Sequence, residues 1–379
     1  MNLSRAVELS ALIPAAGFSS RMHQYKPLLR LMDKPMVEVV IRLFQECGIS
    51  DIVVVTGHNH SLLESIIEKA GARPVFNPDF KTGMLGSIQK GVVHVSRKSK
   101  GFFLLPVDIP AIRPATIQAM ISAFQKGPEN IIIPEFEQTP GHPPLIPAWL
   151  IPKIIDLSSN SNLGELLLCQ KDHQIRQPVH DRGILMDADT KETYENLVEK
   201  YRNLNIPDKA ECWSIIRSAL PGETAIQAHL DLVADTALKL TCAIEKGLNQ
   251  KKNSCPNLNK NLIQAAALLH DIKRKEKDHD RIGSRFIKNI GFPRVASIVA
   301  EHMTIEPTDR ITEKEIVYFA DKLCNGNRLE VDYAKRFAGK IKQTSTRAET
   351  RILKRYEATQ QIHARIEAAT GQSIQTILQ

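Results

Sequence analysis

Two sets of residues, one in each half of the chain, have the types and spacing for phosphate chemistry. The first is Ala15-Ala16-Gly17-Phe18-Ser19-Ser20-Arg21-Met22, with Lys26-Pro27-Leu28-Leu29 behind it. It follows an apolar run that reads as a strand. A Gly-bearing turn between strand and helix lets backbone N–H groups approach phosphate oxygens. Arg21 offers a fork-shaped guanidinium and Lys26 a compact ammonium to the same polyphosphate. Pro106-Val107-Asp108-Ile109-Pro110 puts Asp108 at the carboxyl end of a predicted strand, where open α/β sheets bind ligands. Met186-Asp187-Ala188-Asp189-Thr190 adds two carboxylates after another expected strand, Gly183 to Met186. Carboxylates on separate strand ends can share one Mg2+ with phosphate oxygens. Gly83-Met84-Leu85-Gly86-Ser87 supplies a second turn before a helix, and so a second source of backbone donors.

The second set is dispersed: His229, His270-Asp271, His279, His302 and Asp321. His270-Asp271 ends the apolar run Leu262 to Leu269, and Asp321 sits in the apolar stretch Ile316 to Leu323. A carboxylate buried alone is costly. One His on such a face is ordinarily a satisfied core residue. His229, His270-Asp271 and Asp321 on three predicted helices reverse that reading, because helices of a bundle can converge their side chains on a metal. Neutral imidazole with carboxylate suits Mn, Fe, Ni or Zn. His279 and His302 read equally as ligands of a second metal and as substrate-binding or surface residues. Lys273, Arg274, Lys275 and Lys277 follow the His-Asp pair and read as a solvated turn, with phosphate attraction as the alternative.

These residues need two scaffolds. A chain of 379 residues exceeds a single ordinary core. The first half alternates strand and helix patterns. Asp51 to Thr56 is a β-branched run between Gly48 and Gly57, the pattern of a buried parallel strand. The rhythm predicts an α/β domain with an open, mostly parallel, Rossmann-like sheet and helices on both faces. After Asn205-Ile-Pro-Asp-Lys almost no strand pattern remains, and six helical segments predict an all-α domain. The expected boundaries are 1–203, a linker at 204–223, and 224–379.

Composition bounds the partners. The net charge is +8, which anionic nucleotides explain as readily as nucleic acid. The basic stretch from Lys335 to Arg355 has partial helical spacing and reads as a solvated helix face rather than an RNA-binding one. The six cysteines form no C-x-x-C pair, which fits reduced thiols in a cytoplasm. The N-terminus shows no signal-peptide pattern, and no apolar run is long enough to span a membrane.

The first set resembles the MobA-like nucleotidyltransferases, within the nucleotide-diphospho-sugar transferase fold. The resemblance rests on Ala15 to Met22 with Lys26, on Gly83-Met84 with Ser87, on Pro106 to Pro110, on Gly141-His142-Pro143 and on Asp187 to Thr190. It covers about residues 8–200. The Ala-Ala-Gly form is closer to the molybdenum cofactor cytidylyltransferase branch than to the guanylyltransferase branch. This implies CTP (or another NTP) as donor, a molybdopterin-type acceptor, and pyrophosphate release. It also implies Ala15, Ala16, Gly17, Ser19, Arg21, Lys26, Gly83 and Ser87 as nucleotide-binding residues. Asp108 with Asp187 or Asp189 would hold Mg2+, and Lys26 and Asp108 would be catalytic. His23 stands where the family has Gly, and a position needing φ > 0 suits His poorly. Base and acceptor therefore stay open.

The second set resembles the HD phosphohydrolase superfamily in its subgroup with extra histidines, over about residues 224–330. This implies His229, His270, Asp271 and Asp321 as metal ligands, His302 and His279 at a second metal, and Asp271 in catalysis. It implies hydrolysis of an unidentified phosphoester. Together the resemblances imply a bifunctional enzyme. The alternative is a nucleotidyltransferase for a sugar or alcohol phosphate, with the HD half as a nucleotide-sensing regulator.

Overall fold

The computed structural model describes residues 8–17, 24–250, 258–342 and 346–379. The chain divides into two compact units at Leu204/Asn205.

In the first unit, β1 (Leu9–Pro14) leads to the short hairpin of β2 (Arg30–Leu31) and β3 (Lys34–Pro35), then α1 (Met36–Glu46), β4 (Asp51–Thr56), α2 (His60–Lys69) and β5 (Arg73–Phe76). Next come α3 (Met84–Val92), β6 (Gly101–Leu104), α4 (Pro114–Lys126), β7 (Ile131–Phe136), β8 (Thr139–Pro140) and β9 (Leu145–Pro147). The unit closes with α5 (Ile151–Ile155), α6 (Leu163–Leu168), β10 (Gln174–Pro178) and α7 (Lys191–Arg202). The main sheet runs β10-β7-β9-β6-β1-β4-β5, with β8 paired to β7. β1 lies parallel between β4 and β6, while β9 runs antiparallel to both β6 and β7. The central strands are buried on both faces, which is why they read as unbroken apolar runs. Ala11, Ile13, Val54 and Phe103 face a core built with α1, α2 and α4. Leu12, Val53, Val55 and Phe102 face a second core with α3, α5 and α6.

The expected strand at Gly183–Met186 is instead a 3-10 turn, Arg182–Leu185. Asp181 caps it by accepting from the Gly183 amide at 3.1 Å, a local bond that competes with extended backbone.

The second unit begins inside the expected linker. Residues 204–223 contain α8 (Lys209–Ala219), opened by a reciprocal Asp208–Glu211 capping box. Its Cys212, Ile215 and Ile216 are fully buried in this unit's core, so the segment packs rather than connects. Then follow α9 (Thr224–Gln250), α10 (Lys260–Leu269), α11 (His279–Asn289), α12 (Pro293–Val299) and α13 (Glu313–Leu323). A hairpin the sequence did not reveal, β11 (Cys324–Asn325) with β12 (Arg328–Leu329), precedes α14 (Tyr333–Lys342), α15 (Thr346–Thr370) and α16 (Ile374–Leu378). α9 is the central helix and packs on α10, α13 and α15. Among the described residues, no helix is long and apolar enough to cross a membrane.

Candidate active sites

The first unit's site forms at the carboxyl ends of β1 and β6. Neighbouring strands hold the loop after β1 in place. Ala15 N–H donates to Val55 O at 2.8 Å, Val107 N–H to Pro14 O at 3.2 Å, and His58 N–H to Ala16 O at 3.3 Å. Gly57 backs this loop at a distance no side chain allows: a Cβ there would lie 2.6 Å from Phe80 Cβ and 2.8 Å from Ala16 O. Across the cleft, Gly83 opens α3 with φ +112°, a conformation that favours glycine. Ser87, in the first turns of α3, is buried and accepts from Asn77 Nδ2 at 3.1 Å. Pro14 to Gly17, Lys26, Gly83, Ser87 and Asp108 line one cleft of about 330 Å3. Ser19, Arg21 and His23 lie outside the described residues.

The carboxylates meet through backbone bonds. Ala188 N–H donates to Asp108 O at 3.0 Å, so segment 186–190 docks on segment 106–110. Asp181 anchors it from behind. Its carboxylate accepts from Arg113 Nη1 at 2.7 Å, Arg113 N at 2.8 Å and Thr116 Oγ1 at 2.7 Å, all buried. Lys26 Nζ then donates to Asp108 Oδ2 at 2.9 Å and to Asp189 Oδ1 at 2.6 Å. Burial opposes the Lys26 charge, but the two carboxylates prevail and raise its pKa. Burial, then repulsion from Asp189 and Asp108, pushes the Asp187 carboxyl up. Three carboxylates around one ammonium suit a divalent cation that arrives with phosphate oxygens. His142 sits in the same field. Burial lowers its pKa against the pull of Asp108 and Asp187, and its Nδ1 is buried without a hydrogen-bond partner. Sequence reasoning had missed the cleft residues Phe80 and Lys81, which carry no motif.

The second unit's site gathers residues from five helices and their ends. His229 comes from α9, His270 and Asp271 from the end of α10, and His279 from the start of α11. His302 follows α12, and Asp321 lies on α13. They form two triads: His229, His270 and Asp321, and then Asp271, His279 and His302. Within each triad one ligand atom per residue lies within 4.8 Å of the others. His229 Nε2 is 3.3 Å and His270 Nε2 3.5 Å from Asp321 Oδ1. His279 Nε2 and His302 Nε2 are each 3.2 Å from Asp271 Oδ1. Asp271 joins the triads, because its Oδ2 is 3.5 Å from His270 Nε2 and 3.9 Å from His229 Nε2.

The histidines are oriented from behind. His229 Nδ1 meets Gly326 O at 2.9 Å, His270 Nδ1 meets Ala267 O at 2.8 Å, and His302 Nδ1 meets Val299 O at 2.7 Å. A carbonyl only accepts, so each Nδ1 carries a proton and Nε2 is the ring atom left to face a metal. The hairpin β11–β12 thus has a task, since Gly326 in its turn orients His229. His229 Nε2, His270 Nε2 and Asp271 Oδ1 are buried without a hydrogen-bond partner. The two nitrogens fall in the first triad and the oxygen in the second, and metal ions there would satisfy what is otherwise a costly arrangement. Burial opposes charge on His270, yet Asp271 and Asp321 raise its pKa to about 10, a field that calls for a cation. Burial, and then the charge on His270, keeps His302 low despite Asp271.

Next to these ligands is a cavity of about 440 Å3, bounded by His229, His279 and Asp321 on one side. Its other walls correct the reading of the basic stretch as a solvated face. Arg336, Arg355 and the exposed Lys340 line the cavity, whereas the exposed Lys335, Arg351 and Lys354 do not. The basic turn after the His-Asp pair divides similarly. Lys275 pairs with Glu223, while Arg274 reaches Asp271 and lines the cavity.

An open α/β sheet with an acidic cleft at its strand ends, and a helical His/Asp centre, define a two-domain protein. Residues 11–175 match the MobA-like NTP transferase domain, and residues 227–326 match the HD domain. The molybdenum cofactor cytidylyltransferase of Escherichia coli (strain K12) is 26% identical over 198 residues, covering 52% of this chain and 98% of that one. A probable molybdenum cofactor guanylyltransferase of Natranaerobius thermophilus is 30% identical over 132 residues, 33% of this chain and 60% of that protein. Among solved structures, Rv0371c from Mycobacterium tuberculosis H37Rv aligns with a TM-score of 0.46 at 22% identity, covering 51% of this chain and 98% of that one. The chain joins a MobA-like NTP transferase domain to an HD domain.

Proposed function

We propose that the first unit transfers a nucleotidyl group, CMP from CTP, to a molybdopterin-type acceptor, and that the second hydrolyses a phosphoester with divalent metals. The observation supporting the first reading is Lys26, held between Asp108 and Asp189 on the floor of a cleft whose rims are the turns at Gly17 and Gly83. The Escherichia coli relative, matched over nearly its whole length, supports the choice of CTP and pterin. Gly17 and Gly83 contribute backbone at the triphosphate, and Lys26 contributes charge. Asp108 with Asp189 or Asp187 would hold Mg2+, which when bound neutralises phosphate charge. A phosphate oxygen of the acceptor attacks the α-phosphorus in line, and the bond to the β-phosphate breaks to release pyrophosphate. The protein's part is position and charge.

For the second unit, the supporting observation is the pair of adjacent triads linked through Asp271, with the Nε2 atoms of His229 and His270 buried and unpartnered. Each triad would hold one divalent ion of the Mn, Fe, Ni or Zn type. Bound there, the ions would activate water and take up charge on the phosphoester. The three backbone-held imidazoles keep their Nε2 atoms aimed inward, and Arg274 stays on Asp271 at the cavity rim. Thiols at the five described cysteines suit a reducing cytoplasm.

The test is pyrophosphate release with CTP, GTP, ATP and UTP, with and without molybdopterin, by wild type and Asp108→Ala. Release that needs the pterin, prefers CTP and disappears in the variant is expected. Release with a sugar phosphate instead would move the acceptor assignment. Orthophosphate release from phosphoesters by Mn2+-loaded protein, lost in Asp271→Asn, tests the second unit.

A further inference from the structure

The cavity beside the HD-type ligands is far more cationic than one phosphate on two metals requires. Among the described residues, its one carboxylate-bearing wall residue is Asp321, which already faces the triad and accepts from Lys322 Nζ. Opposite stand Arg336, Lys340 and Arg355, contributed by α14 and α15. These three residues lie beyond 227–326, so they are an addition to the HD domain as matched. Arg336 is fixed in place, donating to Cys324 O at 2.6 Å and to Lys322 O, the carbonyls at the end of α13. Arg355 has a buried Nε with no hydrogen-bond partner. The cations crowd one another: burial, then repulsion from Arg336 and Lys322, lowers the pKa of Lys340. Like charges gathered at one wall cost free energy unless an anion joins them. A phosphoryl group held by two metal ions is already neutralised at the other wall. The surplus therefore belongs to a different anionic group of the same ligand. Phe337, Ile352 and Met303 leave an apolar margin for the organic part.

We propose that α14 and α15 form a second-phosphate subsite, so that the HD-type site takes small molecules carrying two phosphoryl groups, one at the His/Asp centre and one on Arg336, Lys340 and Arg355. The proposal rests on the phosphohydrolase reading for what happens to the first phosphate, but the subsite can be tested separately. The probes are inorganic pyrophosphate and orthophosphate, titrated calorimetrically into full-length protein with its metals as purified. A Lys26→Met/Asp108→Asn background silences the cleft of the first unit. Pyrophosphate should bind at least about tenfold more tightly than orthophosphate, the worth of one charge-assisted contact. Lys340→Ala and Arg355→Lys should each bring that ratio down several-fold, and together towards one. Lys340 is exposed, so its variant is expected to fold even if Arg355 variants do not. An affinity ratio near one in the parent, or a ratio unchanged in both variants, overturns the proposal. If pyrophosphate binds as expected but no phosphoester is turned over with Mn2+, the subsite stands and the phosphohydrolase reading falls.

Discussion

Replacing Lys26 by Met should do two opposite things. Met keeps most of the alkyl stem and removes the ammonium that now bridges Asp108 and Asp189. The Lys26 side chain is 13% exposed and that of Asp108 is 23%, so their bond counts as a partly buried charge-assisted one. Asp189 is 38% exposed, and its share is reduced by solvent. Together the two contacts are worth about 2–3 kcal/mol. Without them Asp108, Asp187 and Asp189 repel one another, and the melting temperature of this unit should fall by about 5–10 °C. In the wild type, however, Mg2+ at the proposed site would have to displace the ammonium before reaching those carboxylates. The variant offers them directly. Nucleotide-free Lys26→Met should therefore bind Mg2+ about 30- to 150-fold more tightly than wild type, the same 2–3 kcal/mol read as a ratio. Activity moves the other way, because the lost ammonium no longer meets the triphosphate. Pyrophosphate release should drop about 10- to 100-fold in kcat/KM. Thermal-shift titrations with MgCl2, with and without CTP, read both effects. The second unit responds alike in the two proteins and cancels in the comparison. Equal Mg2+ responses in variant and wild type would refute the argument that Lys26 stands in for the ion.

Asp181→Ala should leave the Arg113 guanidinium, 3% exposed, without its carboxylate and destabilise the first unit by about 3–5 kcal/mol, measured by urea unfolding. Because Asp181 also pins the turn before Asp187 and Asp189, nucleotide-dependent activity should fall more than stability alone explains. Asp271→Asn removes the carboxylate of one triad that also faces the other through Oδ2, so metal content by mass spectrometry should drop at both positions, whereas His279→Ala should spare the His229–His270–Asp321 triad. Chelation should lower the melting temperature of the second unit, by about 2.7 kcal/mol of stabilisation for a metal present at a hundred times its Kd. Thiol labelling at pH 8, mapped by peptide, should modify the exposed Cys169 and Cys242. It should spare Cys47 and Cys324, whose thiols burial pushes up to about 12 and about 11, until denaturant is added.

What could be read before the structure, and what could not, follows from the range of each signal. Asp51 to Thr56 was legible because a strand buried on both faces must be apolar throughout, and the run is β4 to the residue. The His/Asp cluster was partly legible because His270-Asp271 and Asp321 sit in or at the end of apolar helical runs, where polar residues need a reason. Residues 204–223 misled because Pro207 and the polar residues around it look like a connector, while the buried stripe of Cys212, Ile215 and Ile216 is one short turn-spaced set. Gly183 to Met186 misled because a single side-chain cap from Asp181 outweighed a weak strand pattern. The largest gap was in the basic stretch. Helical spacing says which residues share a face but not what that face meets. Lys335, Arg351 and Lys354 meet solvent, and Arg336, Lys340 and Arg355 meet the cavity beside the triads, although all six are the same kind of residue in the same segment. Only contacts between distant parts of the chain separate the two sets, here α14 and α15 closing over the end of α13. The same reasoning locates specificity. The His/Asp centre lies wholly within the stretch that matches the HD domain. The choice of substrate would have to come from what is packed around that centre, and in this chain Arg336, Lys340 and Arg355, all beyond residue 326, add to Arg274 and Lys322 within the matched stretch.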